Sequence, residues 1–317
     1  MSIAEGVETL RRGGLVAFPT ETVYGLGCDA ASTAGLERLY AVKRRPVDHP
    51  VIVHLGDAAL ALDGWAATVS EAGQALIAAF WPGPLTLVVG RGARVIDAVT
   101  GGRDTVGLRV PSHPMALQLL RAFGSGVAAP SANRFGRVSP TSAADVRADL
   151  GDDIDLVLDG GSSDVGVEST IVDCTGDDLA ILRLGGVTRE QIAETVGGAV
   201  ALRTAGEVAA PGTLPAHYAP TARVVIVDRS AVGARATGLL AAGETVGIIA
   251  PGPPPPDLPV GVVTLASPDD DDEFARVLYP SLRAADRASL DVVLAILPAA
   301  RGIGAAVADR LSRAAAS

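Results

Sequence analysis

The residues best placed to do chemistry in this chain are two that it uses only once. Lys and Arg total 26, yet Lys43 in "AVKRRP" is the only lysine, so the other 25 are arginines, with Arg44 and Arg45 directly beside it. Asn133 in "APSANRFG" is the only asparagine, with Ser131 before it and Arg134 and Arg137 after it. Lysine offers a compact ammonium and arginine a planar fork, so Lys43 and Arg45 together suit an oxyanion. A Ser/Asn/Gly-rich stretch bearing arginines suits an anion-binding loop ahead of a helix. The chemistry indicated is the handling of phosphate or carboxylate. The plainer explanations are a solvated helix end and compositional drift.

Three further polar stretches follow apolar runs, where open α/β sheets place their ligand sites. "FPTETVYGLGCDA" (18–30) offers Thr20, Thr22, a tyrosine and two glycines for close backbone approach. "GVESTIVD" puts Glu168, Ser169 and Thr170 at a strand start, and "PGTLPAHYAP" puts His217 and Tyr218 in a proline-braced loop. Familiar nucleotide motifs are missing. There is no GxxxxGK[ST], and "GRGARV" and "GIGAAV" both lack the last glycine of GxGxxG. His49 and His54 are five apart, which on a strand sends them to opposite faces, and no His/Cys set has metal-ligand spacing. Cys28 and Cys174 read as two reduced, buried thiols.

Regular elements must position these residues. Apolar runs at "GLVAFP", "PVIVHL", "LTLVVG", "TVGLRVP", "GVAAPSA", "DLVLDGG", "STIVDC" and "LAILRLGG" read as strands. Helical spacing marks 33–45, 69–83, 114–124 and "TREQIAETVG". The stretch 204–220, with three prolines and little periodicity, reads as a linker or lid. Beyond it "RVVIVD", "ETVGIIAP", "GVVTLA" and "DVVLAILP" alternate with Ala-rich helices, "PGPPPPDLP" is a stiff loop and "DDDDEF" an acidic helix start. The organisation expected is therefore a domain over 1–203, the linker, and a smaller α/β domain over 221–317.

Taken in order, "PTETVYGLG", the Lys-x-Arg of "KRRP", "FWPGPLTLV", "GLRVP", "PSAN", "VESTIVD", "LRLGG" and "PGTLPAHYAP" make a specific set. With these motifs the chain resembles the YrdC family of L-threonylcarbamoyladenylate synthases, in the long form with an extra C-terminal domain. The resemblance implies a twisted mixed α/β sheet with a concave cavity, joined to a small Rossmann-like α/β domain. It implies a nucleotidyltransferase that converts L-threonine, bicarbonate or CO2, and ATP into threonylcarbamoyl-AMP and pyrophosphate. The product would feed a tRNA threonylcarbamoyl transferase that makes N6-threonylcarbamoyladenosine. By motif position, Thr22, His54, Arg109, Ala129 and Ser169 would hold threonine. Lys43, Arg45, Ser131 and Asn133 would surround the phosphates as the catalytic group. His49, Thr105, Ser139, Arg183 and Tyr218, with Arg45 and Ser131, would contact the nucleotide. The family commonly has Asn where this chain has His49. Mg2+ would ride on the triphosphate and need no protein metal site.

Such a reaction joins two anions and needs positive charge and alignment rather than a covalent nucleophile. That agrees with the lack of a Ser-His or Cys-His arrangement. Two other readings share the fold: a non-catalytic RNA-binding module, and a carbamoyl-transfer module of hydrogenase maturation. Through residue 203 the chain has 17 Lys/Arg against 24 Asp/Glu, a net of −7, and the whole chain carries −10. This charge opposes strong direct nucleic-acid binding, and two isolated cysteines oppose the zinc motifs of the second. "MSIAEGVETLRR" has no apolar signal core, and no apolar run reaches the ~18 residues of a membrane span. A soluble cytoplasmic protein is expected.

Overall fold

The computed structural model describes residues 2–176, 178–203 and 218–317. They form two compact units, one of 2–135, 139–164 and 168–203, the other of 136–138, 165–167 and 218–317. Most of the expected linker, including His217, lies outside the described residues.

In the first unit the strands are β1 (Val16–Phe18), β2 (Gly25–Asp29), β3 (Ile52–His54), β4 (Leu85–Gly90), β5 (Thr105–Arg109), β6 (Val127–Ala128), β7 (Leu156–Val157), β8 (Thr170–Asp173), β9 (Ala180–Arg183) and β10 (Ala201–Leu202). Among the described residues they make one mixed sheet in the order β10-β9-β8-β4-β5-β3-β6-β2-β1-β7. Its helices are α1 (Ile3–Arg11), α2 (Thr33–Lys43), α3 (Glu71–Phe80), α4 (Asp97–Thr100), α5 (Pro114–Phe123), α6 (Ala143–Leu150) and α7 (Arg189–Val196). The core is largely aliphatic, with Leu26, Leu36, Val53, Leu87 and Val172 buried around Tyr24 and Trp65. This agrees with the chain's 3% aromatic content.

Boundaries follow local chemistry. The spacing predicts a helix to residue 45, but α2 ends at Lys43 because Arg44 turns left-handed, with φ 53°. The following Pro46 also bars Arg45 from helical backbone. Helix α3 is shorter than 69–83 because Ser70 caps it by accepting from the Gly73 amide. The "GVAAPSA" strand shrinks to two residues, since the prolyl nitrogen of Pro130 donates nothing to a ladder. Helix α1 carries a capping box between Ser2 and Glu5. Helix α6 lies in a stretch given no helix from sequence, capped by Ser142.

The second unit has β11 (Arg223–Ile226), β12 (Val246–Ile249), β13 (Val263–Ala266) and β14 (Val292–Ala295), with helices α8 (Val232–Ala241), α9 (Asp271–Arg287) and α10 (Gly304–Ala315). Its sheet order is β11-β14-β12-β13, and every pair is parallel. The central strands β12 and β14 are buried throughout and read as unbroken apolar runs, as parallel strands covered on both faces must. The acidic run opens α9, with Asp270 as its cap.

Candidate active site

The site is assembled where the middle of the first unit's sheet meets its loops. Strand β3 pairs in parallel with β5, which sets His54 opposite Arg109. It pairs antiparallel with β6 on its other side, and the Ala129 amide continues that pairing by donating to the Ile52 carbonyl at 2.9 Å. The "PSAN" segment therefore begins two residues beyond the end of a strand bonded to the strand of His54. Ser131 then bridges Gly25, and the Ala132 amide donates to the Tyr24 carbonyl at 2.8 Å.

Lys43 and Asn133, far apart in sequence, form one device. The Lys43 ammonium, 1% exposed, donates to the backbone carbonyls of Ser131 and Asn133. In return, the Phe135 amide donates to the Lys43 carbonyl at 2.8 Å, and Arg134 donates to the Val42 carbonyl. Burial, and then the neighbouring Arg45, hold the Lys43 pKa well below the ordinary lysine value. Arg45 donates to the Pro50 carbonyl at 2.8 Å, with its guanidinium 5.4 Å from the Phe135 ring centroid. The His49 ring meets the edge of the same phenylalanine at 5.5 Å. His49 stands in the turn before β3, not in the strand, so opposite-face geometry does not describe the two histidines. Burial, and then Arg45, lower its pKa.

A second group gathers around Arg109. Its Nη1 donates to the Thr22 hydroxyl at 2.9 Å and its Nε to the Gly83 carbonyl at 3.2 Å. Thr20 and Thr22 hydroxyls are 2.8 Å apart, and Thr20 donates its one hydroxyl proton to the Val23 carbonyl. The proton between them therefore comes from Thr22. Arg109 Nη2 also lies 2.8 Å from Glu21 Oε1, an ion pair buried on both sides. Asp104, the acid neighbouring Arg109 in sequence, instead faces Arg91 at 3.7 Å. His54 is held neutral, its pKa pushed down to about 3 by burial and then by Arg109. Its ring packs edge-on to Phe18.

A third group joins the two ends of the chain segment 139–183. The Ser139 hydroxyl donates to Glu168 at 2.7 Å. Next to Glu168, Ser169 shares a 2.8 Å hydroxyl contact with Thr86, while Arg183 donates to the Ser169 carbonyl and hydroxyl at 2.8 and 3.1 Å. Thr86 and Thr105 line a small pocket with Pro50, Val51, Ile52, Val88, Gly107 and Ile171.

All the site residues predicted from sequence, other than Tyr218, thus fall in the first unit. Tyr218 belongs to the second, where its ring stacks on Tyr279 at 5.9 Å and lies under the Arg310 guanidinium at 4.9 Å. Sequence reasoning assigned no role to Glu21, Glu168 or Phe135. Each sits inside or beside a quoted motif, but only the fold shows what it touches. Cys28 and Cys174 are free and buried, with thiol pKa values pushed up to about 12 by burial. Among the described residues no three His, Cys, Asp or Glu are grouped to hold a metal ion. No described helix is long and apolar enough to cross a membrane.

Comparison with known proteins bears on the family and the fold. Residues 8–185 match the family described as telomere recombination, which comprises Sua5, YciO and YrdC. Residues 187–316 match the threonylcarbamoyl-AMP synthase C-terminal domain. The chain is 40% identical to a threonylcarbamoyl-AMP synthase from Pyrococcus abyssi, over 96% of its own length and 91% of that protein. It is 36% identical to one from Bacillus subtilis, over 99% and 92%. The crystal structure of P. abyssi Sua5 complexed with L-threonine matches it with a TM-score of 0.92 at 38% identity, over 99% of this chain and 94% of that one.

Proposed function

The chain belongs to the Sua5/YciO/YrdC family in its two-domain form, and from that premise we propose that it makes threonylcarbamoyl-AMP from L-threonine, bicarbonate or CO2, and ATP, releasing pyrophosphate. It is a nucleotidyltransferase, and its relatives' common name and full-length coverage favour this over the RNA-binding and hydrogenase-maturation readings. The observation that carries the reading is the pair of buried cationic groups at a strand end and a helix end of one unit, Arg109 with Thr22 and Lys43 with the "PSAN" carbonyls.

Arg109 is suited to the threonine carboxylate, Thr22 supplies a hydroxyl beside it, and Ser169 is proposed as a further hydroxyl for the same substrate. Neutral His54 adds no charge there, and its Nδ1 has no hydrogen-bond partner among the described residues. It can accept from the substrate hydroxyl. Lys43 and Arg45 bring positive charge to the phosphates, where negative charge builds on the α-phosphate's equatorial oxygens and on the departing pyrophosphate. Their side chains are fixed in advance by carbonyls and by Phe135, so little reorganisation is needed at the moment of reaction. Ser131, Asn133, Ser139, Thr105 and Arg183 are the proposed nucleotide contacts from this unit, with His49 beside Phe135 another.

Mg2+ is proposed to arrive on the triphosphate. The residues around Lys43 and Arg45 are cations and carbonyls, a set that suits a metal held by substrate oxygens and water. The product would pass to a tRNA threonylcarbamoyl transferase in the cytoplasm. The test is pyrophosphate release from ATP by the full chain. The reading requires release that depends on both L-threonine and bicarbonate; release without threonine would sink it.

A further inference from the structure

Beside Arg109 lies a buried group that the reading above does not use. Glu21 is 5% exposed, and neither of its carboxylate oxygens accepts a hydrogen bond among the described residues. Its close partner among the described residues is Arg109 Nη2 at 2.8 Å, a contact without hydrogen-bond direction. Two of the guanidinium's nitrogens already donate elsewhere, Nη1 to Thr22 and Nε to the Gly83 carbonyl, while Nη2, like both Glu21 oxygens, has no directed hydrogen bond among the described residues. A buried carboxylate with unfilled lone pairs is unfavourable unless something donates to it.

Resting on the synthase reading, we propose that Glu21 is the anionic subsite for the α-ammonium of the amino-acid substrate. A zwitterion needs a cation for its carboxylate and an anion for its amino group. The residues proposed above to hold threonine supply a guanidinium, two hydroxyls, a neutral imidazole and a backbone position, with no negative charge among them. Glu21 supplies it, next to the guanidinium and at the scale of the substrate, whose charged ends are themselves only a few bonds apart. The other buried acids are engaged elsewhere. Glu168 accepts from Ser139, and Asp173 accepts from Thr175 and pairs with Arg203. Glu21 thus makes the site select amino acids over hydroxy acids, and orients the nitrogen that must become the carbamate.

The experiment is a binding titration of the full chain with L-threonine and with (R)-3-hydroxybutyrate, which is threonine without its amino group. The wild type should prefer threonine by about tenfold to a hundredfold, the worth of a charged hydrogen bond in a buried site. In Glu21→Gln that preference should fall towards one while hydroxybutyrate binding changes little. If Glu21 serves only to hold Arg109, both ligands will weaken together and the preference will persist, which overturns the inference. Equal binding of the two ligands by the wild type overturns it without any variant. Should Glu21→Gln not fold, Glu21→Asp withdraws the carboxylate by one methylene and must shrink the same ratio; an unchanged ratio again counts against the proposal. A wild type that binds neither ligand nor ATP would overturn the synthase reading itself.

Discussion

The chain's only lysine donates to the backbone carbonyl of its only asparagine: Lys43 Nζ meets Asn133 O, 90 residues away in sequence and buried on both sides. The Ser131 carbonyl takes a second bond from the same ammonium. Two carbonyls this close together accept a point donor, whereas a planar guanidinium would displace the "PSAN" segment. Lys43→Arg should therefore fold, bind ATP, and lose most threonylcarbamoyl-AMP formation. Arg44→Lys, changed at an exposed helix end, should stay active. Side-by-side rates check this, and near-normal turnover by Lys43→Arg would show that charge alone suffices.

Arg44 itself offers a stability test. It closes α2 in left-handed backbone, φ 53°, with its residue exposed. A non-glycine residue there carries about 1 kcal/mol of steric strain, partly offset by the greater freedom of glycine when unfolded. Arg44→Gly should raise stability by roughly 0.5 kcal/mol, read as a higher urea midpoint. A lowered midpoint would mean that the side chain contributes more than its exposure implies.

The Arg109–Glu21 pair predicts a non-additive cycle. Arg109→Met leaves a carboxylate buried without its cation and should cost about 3–5 kcal/mol. The double variant Arg109→Met/Glu21→Leu removes both charges and should recover more than half of that loss, while still failing to bind threonine. Chemical denaturation of the four proteins measures the coupling. Additive losses would show that the two groups do not sense each other.

His54 makes stability depend on pH. Its folded pKa, about 3, is below the ordinary 6.5, so above pH 6.5 both folded and unfolded chains are neutral at this site. As pH falls below 6.5 the unfolded chain gains a proton that the folded one refuses. Stability then drops by up to about 1.4 kcal/mol per pH unit. Between pH 6 and 5 the wild type should lose stability more steeply than His54→Gln, by nearly one proton. Parallel slopes in the two proteins would contradict a neutral buried imidazole.

Much of this protein is legible in its sequence because the signals are local. Alternation and apolar runs mark the strands, Ser70 and Asp270 cap helices three residues from the amides they serve, and Pro46 limits α2. The ordered motifs point to the family and to the first unit's site residues, since each motif is a short loop whose residue types are set by what it touches. What touches what was decided by the tertiary structure. No periodicity joins Lys43 to Asn133, and sequence proximity names Asp104 as the acid for Arg109, whereas pairing of β3 with β5 and the path of the 19–24 loop bring Glu21 there instead. Tyr218 reads as a nucleotide contact in its motif, and only the fold of its own unit shows the ring stacked on Tyr279 beneath Arg310. A side chain's partner depends on strand order and on loops that close over dozens of residues. Burial, which lowers the pKa values of His54 and Lys43, exists only once those elements have packed together.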